Sequence, residues 1–362
     1  MSATIESQVY TAFDAAAVVQ KQRDFFATGK TKDVEFRIST LKKLRQLIVD
    51  NESSILDALK KDLNKPELEA YTTEVGFVLK DIDHTLKAIR KWAKPEKVAT
   101  PLFHQLGTSW IQSEPLGVTY VIAPWNYPFQ LALSPVIGAM AAGNTCLIRP
   151  SRMSENTAKI MEKIINENFD EGYLKVVISD MAQSNALLEQ KFDYIFFTGS
   201  PDVGRQIYQA AAKHLTPVTL ELGGKSPCFV DENFNENWGI KRLVWGKFTN
   251  AGQTCVAPDY ILVDKKAKQR FVELFIKTTG IKERRIAGED MSTSDLCYEP
   301  AKQLIEKLQW DKEDIDVVIM VTQSPDYFIP GSAIILQHKL GLKKSCLAFG
   351  QARWLRFHLF VQ

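Results

Sequence analysis

The chain is predicted to be an α/β protein organised around a doubly wound parallel sheet. Three observations carry that expectation. Between Gly117 and Lys277, short β-rich runs alternate with helical stretches of about a dozen residues, the pattern of βαβ units. The first 95 residues show apolar positions at helical spacing. The length of 362 residues suggests two or three domains, and 45% hydrophobic with 24% charged residues is ordinary globular composition.

The elements follow in order. Apolar residues recur at helical spacing in Thr40–Ile48 and Ile55–Leu59, with Lys and Glu in the gaps, so these are expected to be amphipathic covering helices. Pro95 and Pro101 break the pattern. Val118–Ala123 and Asn144–Arg149 read as strands ended by Pro124 and Pro150. The longest mostly apolar stretch, Phe129–Ile148, holds Gln130, Ser134, Pro135, Gly138, Gly143 and Asn144, which reads as a buried helix and then a buried strand rather than a membrane span. Glu155–Glu167 reads as a helix, and Leu174–Ile178, Tyr194–Phe197, Val218–Leu222, Cys228–Val230 and Tyr260–Val263 as strands. Further helices are expected over Trp238–Asn250, Lys266–Lys277 and Tyr298–Leu308, then a strand at Val317–Val321 and a helix from about Ser332.

The composition excludes a disordered chain and a collagen-like repeat. A net charge of +2 supplies no strong field for nucleic acid or an anionic membrane. Both surplus charges, Arg353 and Arg356, lie in the acid-free last 13 residues, so residues 1–349 are neutral. Five cysteines, Cys146, Cys228, Cys255, Cys297 and Cys346, form no CxxC pair, so neither a disulfide framework nor a metal site is expected. Met1–Phe13 lacks an apolar signal core, and a reducing cytoplasmic location is expected.

Four segments could carry chemistry. Phe197–Ser200 ends a strand and Pro201–Arg205 opens a helix. Glycine there lets backbone amides approach a phosphate, although the spacing is not GxGxxG and a bland strand–turn–helix join fits equally. Glu221-Leu-Gly-Gly-Lys225 sets a carboxylate at a strand end, a general base if partly desolvated and otherwise a residue of a surface turn. Asn250-Ala-Gly-Gln-Thr-Cys255 places a thiol in a glycine-containing loop, a nucleophile if exposed and a small core hydrophobe if buried. Pro124-Trp-Asn-Tyr-Pro128 is a rigid turn whose amide could donate to an oxyanion, or an ordinary Pro-rich turn.

Taken together and in this order, PWNYP, FTGSPDVG, TLELGGKSP and NAGQTC resemble the aldehyde dehydrogenase superfamily, and Tyr127 with the short N-terminal helical region is most similar to its class-3, fatty-aldehyde branch. The resemblance spans about residues 8–277. It implies a Rossmann-like doubly wound sheet: an NAD(P)-binding domain with N-terminal helices over residues 1–213 and the start of a catalytic domain over 214–277. It implies Cys255 as the nucleophile toward an aldehyde, Asn126 with the Cys255 backbone N–H as oxyanion donors, and Glu221 as the base that activates water. For NAD or NADP it implies Trp125, Gly199, Ser200, Val203 and Gly204 around the pyrophosphate, Leu222 near the nicotinamide, and Arg149, Ser151 and Arg152 at the adenosine ribose. The family carries Lys-Pro-Ser-Glu at the last position. Here the run is Arg149-Pro-Ser-Arg152, which removes the ribose carboxylate and supplies a cation suited to a 2′-phosphate.

After Lys277 the resemblance stops. The Glu-Glu-Ile-Phe-Gly-Pro motif is missing, and so are the late strands and the arm that completes the family's homodimer, so a truncated catalytic domain with a doubtful dimer is expected. Residues 278–349 are instead similar to the front of β-ketoacyl-acyl carrier protein synthase III, a thiolase-fold enzyme, through Thr279–Ile286, Asp314–Ser324, Pro330–Ala333, Leu340–Leu342 and Cys346–Phe349. That family's nucleophile position is lost in the unmatched tail 350–362, whose Trp354, Phe357 and Phe360 fit a shifted reading frame better than a basic-aromatic membrane anchor. Cys346 is expected in a core and His338 on a surface. Two readings compete: an NAD(P)-dependent aldehyde dehydrogenase, and a truncated or fused product that keeps nucleotide-binding elements with little or no catalysis.

Overall fold

The structure, a computed structural model, describes residues 13–281, 288, 290–322, 326 and 330–352. All of the Met1–Phe13 reading except Phe13, most of Thr279–Ile286, Gln323 and Ser324, and the tail with Arg353, Trp354, Arg356, Phe357 and Phe360 lie outside these residues. The chain divides into two compact units, Met1–Thr279 and Gly280–Gln362.

The first unit opens with helices α1 (Ala15–Ala27), α2 (Val34–Asp50), α3 (Glu52–Leu63) and α4 (Glu67–Ala70), a π-turn at Tyr71–Val75, and α5 (Gly76–Trp92). Helix α5 buries Val78, Leu79, Ile82 and Ile89 at helical spacing, as expected for an amphipathic cover. A small antiparallel hairpin, β1 (Glu96–Val98) and β2 (Ser109–Ile111), follows. It was not anticipated, because its strands are three residues long and largely exposed.

The main sheet holds β3 (Val118–Ile122), β4 (Thr145–Arg149), β5 (Leu174–Val176), β6 (Tyr194–Gly199) and β7 (Val218–Leu222). All neighbours are parallel, and the spatial order is β5-β4-β3-β6-β7. In chain order this is third, second, first, fourth, fifth, the winding of a dinucleotide-binding sheet. β3 is central and every one of its residues is buried, which is why it reads as a β-rich run without a charged residue. Val121, with Cys146 and Ile148, packs against α2, α3, α5, α6 (Gln130–Ala142) and α7 (Glu155–Asn166). Val118, Tyr120 and Ile122 face α1, α8 (Met181–Leu188) and α9 (Pro201–Ala212). The stretch Phe129–Ile148 is a buried helix followed by a buried strand.

Beyond β7, the parallel pair β8 (Ser226–Val230) and β9 (Pro258–Val263) packs with α10 (Glu236–Phe248) and α11 (Lys268–Thr279) around Ile240, Leu243 and Phe271. Helix α10 stops at Phe248 rather than Asn250. Asn235 caps its start, and Asn250 takes a left-handed conformation that no helix continues through.

The second unit contains α12 (Thr293–Leu308), β10 (Val317–Thr322), α13 (Ser332–Leu340) and β11 (Leu347–Ala352). β10, α13 and β11 form a βαβ unit whose core includes Ile305, Met320, Ala333, Leu336 and Leu340. Helix α12 begins at Thr293, five residues before the expected Tyr298, because Ser292 and Asp295 form a capping box. Cys346 is buried and His338 exposed, as expected. Among the described residues, no helix is long and apolar enough to cross a membrane.

Candidate active site and cofactor cleft

In a doubly wound sheet, ligands enter where the strand order reverses, at the carboxyl ends of the strands. Here that point lies between β3 and β6. β3 leads into Pro124–Pro128, and β6 leads into Ser200 and α9. Two of the four candidate segments therefore meet at the switch point.

Ser200 is the N-cap of α9. Its side chain accepts the Val203 N–H at 3.4 Å, and Pro201 takes the first helical position. Gly204 lets the helix lie close to the sheet, since a Cβ there would sit 2.9 Å from Leu222 Cδ2. At Gly199 a Cβ would come within 2.4 Å of Phe197 Cζ. Thr198 Oγ1 is buried without a hydrogen-bond partner. An α-helix N-terminus directly after a crowded glycine, with a buried hydroxyl at the preceding residue that has no partner among the described residues, suits a dinucleotide's phosphates. The residues present thus fit the cofactor that the resemblance implies.

At the next strand end, Arg149 Nε donates to Ser184 Oγ at 3.1 Å and to Ser179 Oγ at 3.4 Å, and burial holds its guanidinium below the ordinary arginine value. Ser151 Oγ accepts the Met153 N–H at 3.2 Å, and Arg152 is exposed. Ser154 Oγ donates to the Trp125 carbonyl at 2.9 Å, tying this turn to the Pro124–Pro128 turn.

The Cys255 loop is joined to the Pro124–Pro128 turn. Asn126 Nδ2 donates to the Gln253 carbonyl at 2.8 Å, and Tyr127 and Thr254 share a hydroxyl hydrogen bond of 2.6 Å. Asn250 is 4% exposed and donates through Nδ2 to the Asn126 carbonyl at 2.8 Å. Asn126 is half-buried, and the Cys255 thiol is exposed, which excludes the reading of Cys255 as a core cysteine.

Of the two readings the sequence leaves open for Glu221, the structure favours the exposed one. It is exposed, not held in a partly dry recess, because β7 is the edge strand of the sheet and Gly223 and Gly224 beyond it are open. Its register partner is Thr198, and that of Leu222 is Gly199, so both stand at the carboxyl end of the sheet beside the α9 turn. Among the described residues, no hydrogen bond joins Glu221 to Cys255.

Three residues that sequence reasoning missed hold this assembly. Glu69 Oε1 accepts the Asn250 backbone N–H at 2.6 Å. Lys65 Nζ donates to Glu74 Oε1 at 2.6 Å, reaches the Asn126 carbonyl at 3.5 Å, and lies 4.4 Å from the centre of the Tyr127 ring. Glu74 Oε2 accepts the N–H groups of Phe129 and Gln130 at 3.0 and 2.9 Å, satisfying the start of α6. Burial pushes the Glu74 carboxyl up from its ordinary range, against the pull of Lys65 and the two backbone donors. Glu74 had a readable signal: it lies one helical turn from Ala70 and from Val78, a carboxylate on an otherwise apolar stripe.

Comparison with known proteins agrees with the family resemblance and with the fold. The aldehyde dehydrogenase family model matches residues 2–294, past Lys277, where the sequence reading ends the resemblance. A 4,4′-diaponeurosporen-aldehyde dehydrogenase of Staphylococcus aureus is 49% identical over 270 residues, which cover 75% of this chain and 58% of that protein. A dimeric NADP-preferring aldehyde dehydrogenase of Canis lupus familiaris is 44% identical over 277 residues, covering 76% and 60%. The substrate-bound structure of Staphylococcus aureus AldH superposes with a TM-score of 0.72 at 38% identity, covering 92% of this chain and 74% of that one. The chain spans about three fifths of the length of the two enzymes named first. The motifs, the sheet winding and the family match together place this chain in the aldehyde dehydrogenase family, among relatives of class-3 type.

Proposed function

We propose that the chain oxidises an aldehyde to a carboxylic acid with NAD or NADP as hydride acceptor. The observation that carries the reading is the bond from Asn126 Nδ2 to the Gln253 carbonyl, two residues from an exposed thiol. A primary amide has two N–H groups. One fixes Asn126 to the nucleophile loop, and the other, without a partner among the described residues, can meet an oxyanion.

The Cys255 thiolate adds to the aldehyde carbonyl, forming a C–S bond and a thiohemiacetal oxyanion. Asn126 and the Cys255 N–H stabilise that charge. When bound, the oxidised dinucleotide accepts the hydride that leaves the substrate carbon. Its phosphates would be held by Gly199, Ser200, Val203 and Gly204 with Trp125, its nicotinamide end by Leu222, and its adenosine ribose by Arg149, Ser151 and Arg152. The hydride loss converts the thiohemiacetal to a thioester on Cys255. Glu221 takes a proton from water, which attacks the thioester and releases the acid and the Cys255 thiolate. Arg152 in place of a carboxylate supports a preference for NADP, in keeping with the description of the dog relative as NADP-preferring. The same description, dimeric, supports a homodimer.

A second reading, dinucleotide binding with little or no turnover, draws on the exposure of Glu221, which leaves the base in water rather than in a dry site. For residues 278–349 no synthase chemistry is proposed, since Cys346 is 4% exposed and the family's nucleophile position is absent. Reduced-cofactor absorbance with a medium-chain aldehyde, followed for the full chain and for Cys255→Ala, separates the readings. Turnover that the substitution abolishes supports oxidation. A folded chain that binds NADP without turnover supports the second reading.

A further inference from the structure

The nucleophile loop contains a conformation that its own residues do not favour. Asn250 and Ala251, neither of them glycine, have φ of 55° and 54°, and Gly252 follows at 77°. Consecutive left-handed residues with a Cβ are costly and persist only where surrounding contacts hold them. One contact that reaches the backbone of this turn from a distant helix is Glu69, whose Oε1 accepts the Asn250 N–H at 2.6 Å across 181 residues of sequence. With that bond made, Asn250 Nδ2 bridges the carbonyls of Asn126, at 2.8 Å, and Gln253, at 3.3 Å. Asn126 Nδ2 meets the same Gln253 carbonyl.

We propose that Glu69 is a positioning residue. By capturing the Asn250 N–H it holds the left-handed turn that sets Gln253, and through Gln253 it sets the Asn126 amide relative to Cys255. Its site is suited to the task. Glu69 is half-buried on α4, directly ahead of the π-turn Tyr71–Val75, whose Glu74 grips Lys65 and the start of α6. π-turns within helices recur at functional sites. Glu69 touches neither substrate nor cofactor in this scheme, and its effect runs through the loop. The inference rests on the reading of Cys255 as the nucleophile only for its consequence in turnover.

The test compares the full chain with Glu69→Ala and Glu69→Gln. Glu69 is not part of the buried core, so removing it opens no cavity there. Hydrogen–deuterium exchange of residues 249–255 reads the turn, and site-resolved alkylation of Cys255 by iodoacetamide reads the thiol. Loss of a hydrogen bond to a charged acceptor is expected to lower protection of the Asn250 amide about tenfold in Glu69→Ala. The Cys255 alkylation rate should change in the same variant while the melting temperature stays close to that of the parent. Glu69→Gln keeps an oxygen acceptor and should match the parent in both readouts. Glu69→Ala matching the parent in both would overturn the proposal, and so would Glu69→Gln as perturbed as Glu69→Ala. Where turnover is measurable, Glu69→Ala lowers kcat with KM little changed. A parent chain without turnover would count against the proposed oxidation, and exchange and alkylation would still decide the role of Glu69.

Discussion

Lys65 Nζ stands 2.6 Å from Glu74 Oε1, with both side chains at 1% exposure or less. Two charges this deep are stable only because each has further partners. Glu74 takes two backbone N–H groups at the start of α6, and Lys65 faces the Asn126 carbonyl and the Tyr127 ring. The pair therefore joins the N-terminal helices to the turn carrying Asn126 and Tyr127.

Breaking one side of this pair leaves an uncompensated buried charge. Lys65→Met is expected to cost about 3 kcal/mol of unfolding free energy, read by urea denaturation. In Lys65→Met/Glu74→Gln the carboxylate charge is gone while an oxygen still accepts from Phe129 and Gln130. That double variant should regain at least about 1 kcal/mol. A single-variant cost below that regain would show that the pair bears no weight.

Acid should loosen the docking of α1. Hydrogen bonds from Lys175 and then Lys21 hold the Glu171 carboxyl down at about 2. The folded value lies below the unfolded one, so this stabilisation is present above the ordinary carboxylate range and is lost as pH falls from about 4.5 toward 2. The groups are partly exposed, so the effect is below about 1 kcal/mol. Glu171→Gln should be less stable than the parent near neutral pH, and the difference should vanish as pH approaches 2. A difference that persists there would remove Glu171 ionisation as its cause.

The exposed Arg152 makes cofactor choice testable. With a 2′-phosphate on NADP, Arg152→Glu replaces an attractive charge by a repulsive one, and the affinity ratio of NADP to NAD should fall about tenfold or more. Isothermal titration with each nucleotide measures it, and an unchanged ratio would take Arg152 out of the ribose site.

The sheet was legible because buried parallel strands read as mostly apolar runs, and β3, β4 and β6 carry such runs. The motif order located the turn at Asn126, the helix start at Ser200 and the thiol at Cys255. What stayed hidden depends on tertiary placement. The exposure of Glu221 follows from β7 being an edge strand, which no local pattern states. Glu69 and Lys65 look like ordinary charges beside helices, and their role arises from partners 181 and 61 residues away. The hairpin β1–β2 was missed because three-residue strands have too short a period to read.

The central claim, acyl transfer through Cys255, is tested most directly by trapping the thioester. Glu221→Gln removes the base proposed to activate water, so with aldehyde and NADP it should release about one equivalent of reduced cofactor per chain in a burst and then slow. Mass spectrometry should find the acyl group on the peptide containing Cys255. A burst with the acyl group on another residue, or a folded chain giving neither burst nor adduct, would contradict the account.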